Sequence, residues 1–218
     1  MNMSELTRVQ KFELGVAVLV PFFIAMGTWW IDSQARARQY ASDQRNIVRA
    51  FIANIEERRS ASGHLRASLY RSHKGGSPDP NYYDQIETRK TEYDGVNVNW
   101  NTTFRSNLLG IREILERQNV GDTDVQLQQE LIEKLLGKYY WGTLDTCLTK
   151  AYDRHKRKVD PGLVLDACSA SSRLSTVGVC SAELGEQLFR MTKIPNRFLI
   201  FEDPVPLLEE AELMKKCL

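Results

Sequence analysis

The chain has 218 residues, of which 29 are Lys or Arg and 28 are Asp or Glu, so its net charge is close to zero. A nucleic-acid-binding protein usually carries a clear basic excess, and we therefore expect no nucleic-acid partner. The length is sufficient for one domain with a real core plus an appendage. Gly and Pro are not enriched, which argues against a chain that is disordered throughout.

A membrane-spanning helix is predicted over residues 14–31. These eighteen residues, LGVAVLVPFFIAMGTWWI, carry no charge and come close to the minimum length of about 17–25 apolar residues for a spanning helix. Trp29 and Trp30 end the run, where aromatic rings prefer the headgroup layer. A signal peptide would need a small-residue cleavage site, and Trp-Trp-Ile-Asp is a poor one. We expect a single-pass protein of the plasma or inner membrane whose lipid contact is made by residues 14–31, with residues 1–13 as a flank.

The side of the membrane follows less directly from the basic residues around this helix. Two cations, Arg8 and Lys11, precede it, whereas four arginines follow it closely. The positive-inside rule then favours a cytoplasmic domain. The rule weakens for long domains, so a periplasmic domain stays open as the alternative.

Residues 32–218 are predicted to form one helical soluble domain. From Asp32 to about His73, apolar residues recur in one heptad frame that Gln44, Arg58 and Ser62 interrupt. These interruptions argue against a strong coiled coil and favour a helix packed within the domain. The Gly-Gly and Pro-x-Pro run that begins at Gly75 predicts a loop between two antiparallel helices.

The next predicted helix, Asn81–Asn119, has the clearest apolar stripe of the chain. The stripe proceeds in steps of three, four or seven and comprises Ile86, Tyr93, Val96, Trp100, Phe104, Leu108, Ile111 and Leu115. Beside it lies a candidate polar cluster, made of Trp100, Asn101, Arg105 and Asn107. Such a cluster is an interhelical clamp in its plainest interpretation and a small ligand pocket in the alternative.

A further helix is predicted from Thr123, which has capping-box spacing to Gln126, and it continues without a break to a basic run. The run contains Arg154, Lys156, Arg157 and Lys158, a candidate anion-binding site. Its simpler explanation is a solvated helix end that the helix dipole favours.

The last quarter of the chain is less regular. We predict a short helix over Leu163–Ala167, a loop over Ser169–Ser175, and a helix over Ser181–Lys193 with Ser181 as its N-cap. Residues 197–201 are a candidate short strand, and residues 206–218 a terminal helix.

Four cysteines, Cys147, Cys168, Cys180 and Cys217, are spaced too widely for zinc or thioredoxin-type signatures. Their even number permits two disulfides in an oxidising compartment, whereas in a reducing one they would be small buried side chains. A catalytic thiolate formed by Cys180 with His155 is a third interpretation, without a supporting motif.

Tyr93, the Asn99-Trp100-Asn101 core and the following Asn107-Leu108-Leu109 resemble a pattern in uncharacterised bacterial single-pass membrane proteins with a helical soluble domain. The resemblance covers about one helix. Those proteins carry no assigned activity, so it implies an architecture and a bacterial source.

The fold class predicted from these elements is all-α. A transmembrane helix continues into an antiparallel helical bundle, with a candidate short strand near the C-terminus. No catalytic constellation, metal signature or nucleotide loop is present, so we expect no cofactor. The leading functional hypothesis is a membrane-tethered interaction or scaffold protein without catalytic activity, whose partner is another protein or a second copy. A ligand-sensing helical domain is the alternative, and a cysteine-dependent enzyme is the third.

Overall fold

The computed structural model describes residues 8–73, 80–116, 122–192 and 210–217, and within them it is all-helical, with no strand. The all-α prediction is therefore confirmed, and the candidate strand at residues 197–201 lies outside the described residues. In order along the chain, the helices are α1 (Arg8–Arg71), α2 (Pro80–Glu116), α3 (Asp122–Ile132), a π-helical segment (Glu133–Trp141), α4 (Gly142–Lys156), α5 (Gly162–Ala167), α6 (Ala170–Met191) and α7 (Glu210–Cys217).

Two compact units divide the chain, residues 1–43 and residues 44–218. The first unit contains the apolar stretch of α1. Its described large apolar side chains are exposed, with Phe23 and Trp29 each 66% exposed. Among the described residues this is the one helix long and apolar enough to cross a membrane. The stretch is therefore a candidate membrane span.

In the second unit, the remainder of α1 packs antiparallel to α2. Gly110 lies against Ile47, and the rings of Phe51 and Phe104 lie 6.3 Å apart. Further along, Arg58 reaches Trp100, so residue numbers rise on α1 as they fall on α2. The absence of a side chain at Gly110 allows this approach, since a Cβ there would lie 2.7 Å from Ile47 Cγ2. The predicted helical hairpin is present.

The apolar stripes of both helices are buried as predicted. On α1 the stripe is Val48, Phe51, Ile55, Leu65 and Leu69, each 0% exposed. On α2 it includes Ile86, Tyr93, Trp100, Leu108, Ile111 and Leu115, all within 5% exposure. Val96 and Phe104 are only partly buried. Packing of these faces supplies most of the stability of such helices, since helical propensity alone contributes little.

The helix predicted from Thr123 to the basic run is present, but its middle is not α-helical. A π-helical segment of nine residues, Glu133–Trp141, separates α3 from α4. The amide of Gly142 donates to the carbonyl of Gly137, five residues earlier, as π-helical hydrogen bonding requires. Leu136 and Trp141, which are five residues apart, are both buried. The helix α3 begins at Asp122, and the side chain of the proposed capping residue Thr123 lies outside the described residues.

Two predictions for the last quarter are corrected. The stretch Ser169–Ser175 is not a loop, because α6 begins at Ala170. Ser181 is therefore inside a helix rather than its N-cap, and its hydroxyl donates to Glu56 on α1 at 2.6 Å. The helices predicted at Leu163–Ala167 and near the C-terminus are confirmed as α5 and α7.

The four cysteines form two disulfides. Cys147 on α4 is joined to Cys168 just after α5, and Cys180 on α6 is joined to Cys217 on α7. A Lys216–Glu183 ion pair adds a second link between α7 and α6. The shortest helices of the described chain are thus fixed covalently to longer neighbours, which compensates for the small apolar surface that each can bury.

Candidate functional site

A buried cation lies at the centre of the helical bundle. Arg58 is only 3% exposed, and its guanidinium carbon lies 5.0 Å from the ring centre of Trp100 and 4.6 Å from that of Trp141. A guanidinium over indole faces is attracted by the negative face of the ring, and the attraction increases where water is excluded. The arginine therefore holds together α1, α2 and the end of the π-helical segment.

Asp145 provides the opposite charge. Its Oδ2 accepts from the Arg58 guanidinium at 2.5 Å, and its Oδ1 accepts from the Tyr93 hydroxyl at 2.5 Å. Burial lowers the pKa of Arg58, and the neighbouring Asp145 carboxylate opposes that shift. Burial and the same carboxylate raise the pKa of the Tyr93 phenol. Because its pKa is raised, Tyr93 remains a neutral phenol that can donate this hydrogen bond at neutral pH.

The π-helical segment brings Trp141 and Asp145 onto this face. A straight α-helix turns by about 100° per residue, so an extra residue in one turn rotates all that follows. The Nε of Arg58, the Nε1 of Trp141 and the Oγ of Ser62 find no hydrogen-bond partner among the described residues. The described groups form an ion pair beside two indole rings, and the Tyr93 hydroxyl binds the same carboxylate.

A second polar cluster lies where α1 ends. His155 is 1% exposed, and its ring centre is 4.8 Å from Tyr83 and 5.8 Å from His73. The Ser72 hydroxyl lies 2.9 Å from His73 Nδ1 and 3.4 Å from His155 Nδ1, and it donates to the Leu69 carbonyl at 2.8 Å. Burial and then His73 lower the pKa of His155. The Ser72 hydroxyl thus lies within hydrogen-bond distance of two imidazole rings as well as of a backbone carbonyl.

Between these clusters, Tyr152 on α4 donates to both carboxylate oxygens of Glu87 on α2, each at 2.6 Å. Burial and this carboxylate raise the pKa of the Tyr152 phenol. Three polar side chains of α4, at positions 145, 152 and 155, therefore contact the α1–α2 hairpin. They orient α4 and so position its opposite face.

That opposite face of α4 forms a groove with α5, of about 650 Å³. Its residues are Gly142, Thr143, Thr146, Cys147, Lys150, Arg154, Leu163, Val164, Ala167 and Cys168. Leu163 is 67% exposed although it is large and apolar. The Nε of Arg154 donates to the backbone carbonyl of Asp160 at 3.0 Å, which holds that side chain at the groove.

The structure separates the members of the polar cluster predicted on α2. Trp100 is buried under Arg58, whereas Asn101 and Arg105 are exposed. Asn107 is half-buried and lines a shallow cleft between α1 and α2. Arg58, which the sequence pattern presented as an interruption, is the arginine that contacts Trp100.

The basic run is also divided. Arg154 lines the α4–α5 groove, while Lys156, Arg157 and Lys158 are exposed. The ammonium of Lys156 lies 5.2 Å from the Tyr152 ring centre, and Arg157 donates to the backbone carbonyl of Asp153. Lys150, one turn before Arg154, belongs to the groove and was missed. Its spacing of four from Arg154 was the signal that could have identified it.

The disulfide between Cys180 and Cys217 leaves no free thiol for the proposed Cys180–His155 pair. Among the described residues, no group of three or more His, Cys, Asp or Glu side chains could hold a metal ion.

Comparison with known proteins gives no relative. No protein-family model, no curated protein and no solved structure matches this chain.

Proposed function

We propose that this protein is a single-pass membrane-anchored helical domain that acts by binding or scaffolding, without catalysis, on the oxidising side of a plasma or inner membrane. The observation that carries the proposal is the pairing of all four cysteines in two disulfides. Disulfides persist in periplasmic and extracellular proteins and are rare in the reducing cytosol.

This topology reverses the expectation from the arginine excess after the apolar helix. The positive-inside rule applies best to short loops, and long domains translocate largely regardless of charge. The second unit extends over residues 44–218, which is well beyond the length of a short loop. The disulfides are therefore the stronger argument of the two.

The anchor itself is supported by the exposed apolar stretch of α1, including Phe22, Phe23 and Ile24, each more than half exposed. An exposed apolar surface of this size is unfavourable in water and marks a membrane or partner contact. Its charge-free length of eighteen residues matches the hydrocarbon thickness of a bilayer.

Binding rather than catalysis is favoured by the chemistry of the interior. The buried Arg58 is neutralised by Asp145, and the cysteines have no free thiol. None of these groups is arranged as a nucleophile with an adjacent base. A ligand-sensing domain is the second candidate, which the open α4–α5 groove favours.

Reporter fusions at Leu218 test the topology. We expect a C-terminal alkaline phosphatase fusion to be active and a matched green fluorescent protein fusion to be dark. The control is the same pair of reporters placed before Met1, which should give the opposite result for a single-pass chain. A silent phosphatase with a bright fluorescent fusion at Leu218 would place the domain in the cytosol and contradict the proposal.

A further inference from the structure

We infer that the groove between α4 and α5 binds a single-chain amphiphile with a carboxylate headgroup, such as a fatty acid. This inference rests on the proposed binding function and names the ligand class. Three features of the groove carry it: its apolar wall, its two cations and the position of these cations along α4.

The apolar wall is made by α5 and the disulfide. Leu163, Val164 and Ala167 face the groove together with Cys147 and Cys168. A volume of about 650 Å³ lies within the range of roughly 300–1,000 Å³ that is usual for small-molecule sites. A groove of this volume suits one acyl chain better than the two acyl chains of a phospholipid. The acyl chain of the ligand would cover the exposed Leu163 side chain.

The charges in the groove are all positive. Lys150 and Arg154 line it, and no acidic side chain is among its described lining residues. Lys150 forms no ion pair with any carboxylate in the described part of the chain. Arg154 is held by its Nε bond to the Asp160 carbonyl, which leaves both terminal nitrogens for an anion. An arginine fork with a neighbouring lysine is suited to a carboxylate.

The charge is concentrated at one end of the groove. From Gly142 to Arg154 the groove follows α4 over twelve residue steps, about 18 Å at 1.5 Å per residue. The cations occupy the last part of this run, whereas Gly142, Thr143 and Cys147 occupy the first. A carboxylate head at Lys150 and Arg154 would leave the tail along the uncharged part. An acidic peptide, whose charges are distributed along its length, matches this arrangement less well.

Photolabelling of the full-length protein tests the inference. The protein is placed in phosphatidylcholine nanodiscs with dodecanoate carrying a diazirine near its tail, irradiated, and mapped by mass spectrometry. We expect labels on residues of α4 and α5, which unlabelled dodecanoate competes away and dodecanol does not. The dodecanol comparison separates recognition of the carboxylate from partition into the bilayer.

Variants show whether the cations are responsible. Lys150→Gln combined with Arg154→Gln should lower the labelling of α4 and α5 about tenfold, since each charge-assisted bond is among the stronger kinds. Leu163→Gln should lower it as well. Lys156→Gln is the matched control, because Lys156 is exposed on the same helix and does not line the groove. Circular dichroism verifies that each variant keeps its helices.

Equal competition by dodecanol, or full labelling of the double variant, would overturn the inference. It would also be wrong if dodecanoate left no label while an acidic, apolar peptide protected Lys150 from acetylation. The labelling does not depend on the side of the membrane, so its failure is distinguishable from that of the proposed topology. A silent phosphatase fusion with cation-dependent labelling would reject the topology and keep the ligand.

Discussion

Asp145→Ala leaves the buried Arg58 charge without its partner and should destabilise the domain by about 3–5 kcal/mol. The two side chains are 3% and 27% exposed, so the arginine is the more deeply desolvated of the two. Tyr93 would also lose its acceptor. Since domains of this size lose roughly 2–4 °C of Tm per kcal/mol, we expect Tm to fall by about 6–20 °C.

Replacing the other partner of the ion pair, Arg58, should lower the free energy of unfolding by less. Arg58→Met keeps much of the apolar contact with Trp100 and Trp141, and it leaves an Asp145 that water can reach and Tyr93 can still bind. In the double variant, Asp145→Ala should add little to the cost of Arg58→Met. The coupling between the two positions should therefore approach the whole cost of Asp145→Ala, about 3–5 kcal/mol.

Urea unfolding of the full-length protein in detergent micelles, followed by near-ultraviolet circular dichroism, gives these free energies. The buried Trp100 and Trp141 supply the signal of native packing. Asp166→Ala is the control, because Asp166 is an exposed carboxylate on α5. A loss below about 1 kcal/mol for Asp145→Ala, equal to that of the control, would refute the assignment of a buried ion pair.

Three other perturbations extend the test of the bundle. Trp100→Ala should lower the free energy of unfolding by about 3–5 kcal/mol, as measured by urea unfolding. Arg105→Ala, at an exposed position, should lower it by less than about 0.5 kcal/mol. Equal losses for the two variants would contradict the burial of Trp100. The pKa of His155 is held below its ordinary value of 6.5, so the folded chain binds fewer protons than the unfolded chain just below that pH. Stability should therefore decline as pH falls from about 6.5 towards the folded pKa, and His155→Gln should remove that part of the slope in a pH series of unfolding curves. Replacing both Cys147 and Cys168 with Ser should cost about 3 kcal/mol, given a loop of 21 residues, and an unchanged midpoint would show that this disulfide does not constrain the unfolded chain.

The helical hairpin could be predicted from the sequence because its information is local. Apolar residues at steps of three and four specify a buried face, and the Gly and Pro run separates the two helices. The heptad frame of α1 also indicated the central ion pair. Arg58 occupies a position of the buried stripe, and a buried arginine requires a partner of opposite charge. Which carboxylate supplies that partner depends on contacts between residues 87 positions apart, which no local pattern encodes.

The errors in the second half of the chain have physical causes. Serine favours caps and turns, so Ser169–Ser175 resembled a loop, but the buried Ala170, Leu174 and Val177 hold it in a helix while the serines face outward. The disulfide pairing was open because four cysteines permit three connectivities. The α4–α5 groove is formed by two separate helices and the disulfide that joins them. Of its two cations, only Arg154 was identified from the sequence as a candidate binding residue.

The π-helical segment has a consequence for any comparison of this chain with future relatives. The five-residue step from Leu136 to Trp141 changes the helical register. It allows α3 and α4 to bury their apolar faces while they remain one continuous helix. Deleting a single residue there, such as Gly137, would give a regular α-helix of ordinary appearance. It would also turn Trp141 and Asp145 by about 100° away from Arg58. A gap in an alignment at this segment would therefore mark a homologue that has lost the central charge pair, even where every individual residue of the pair is retained.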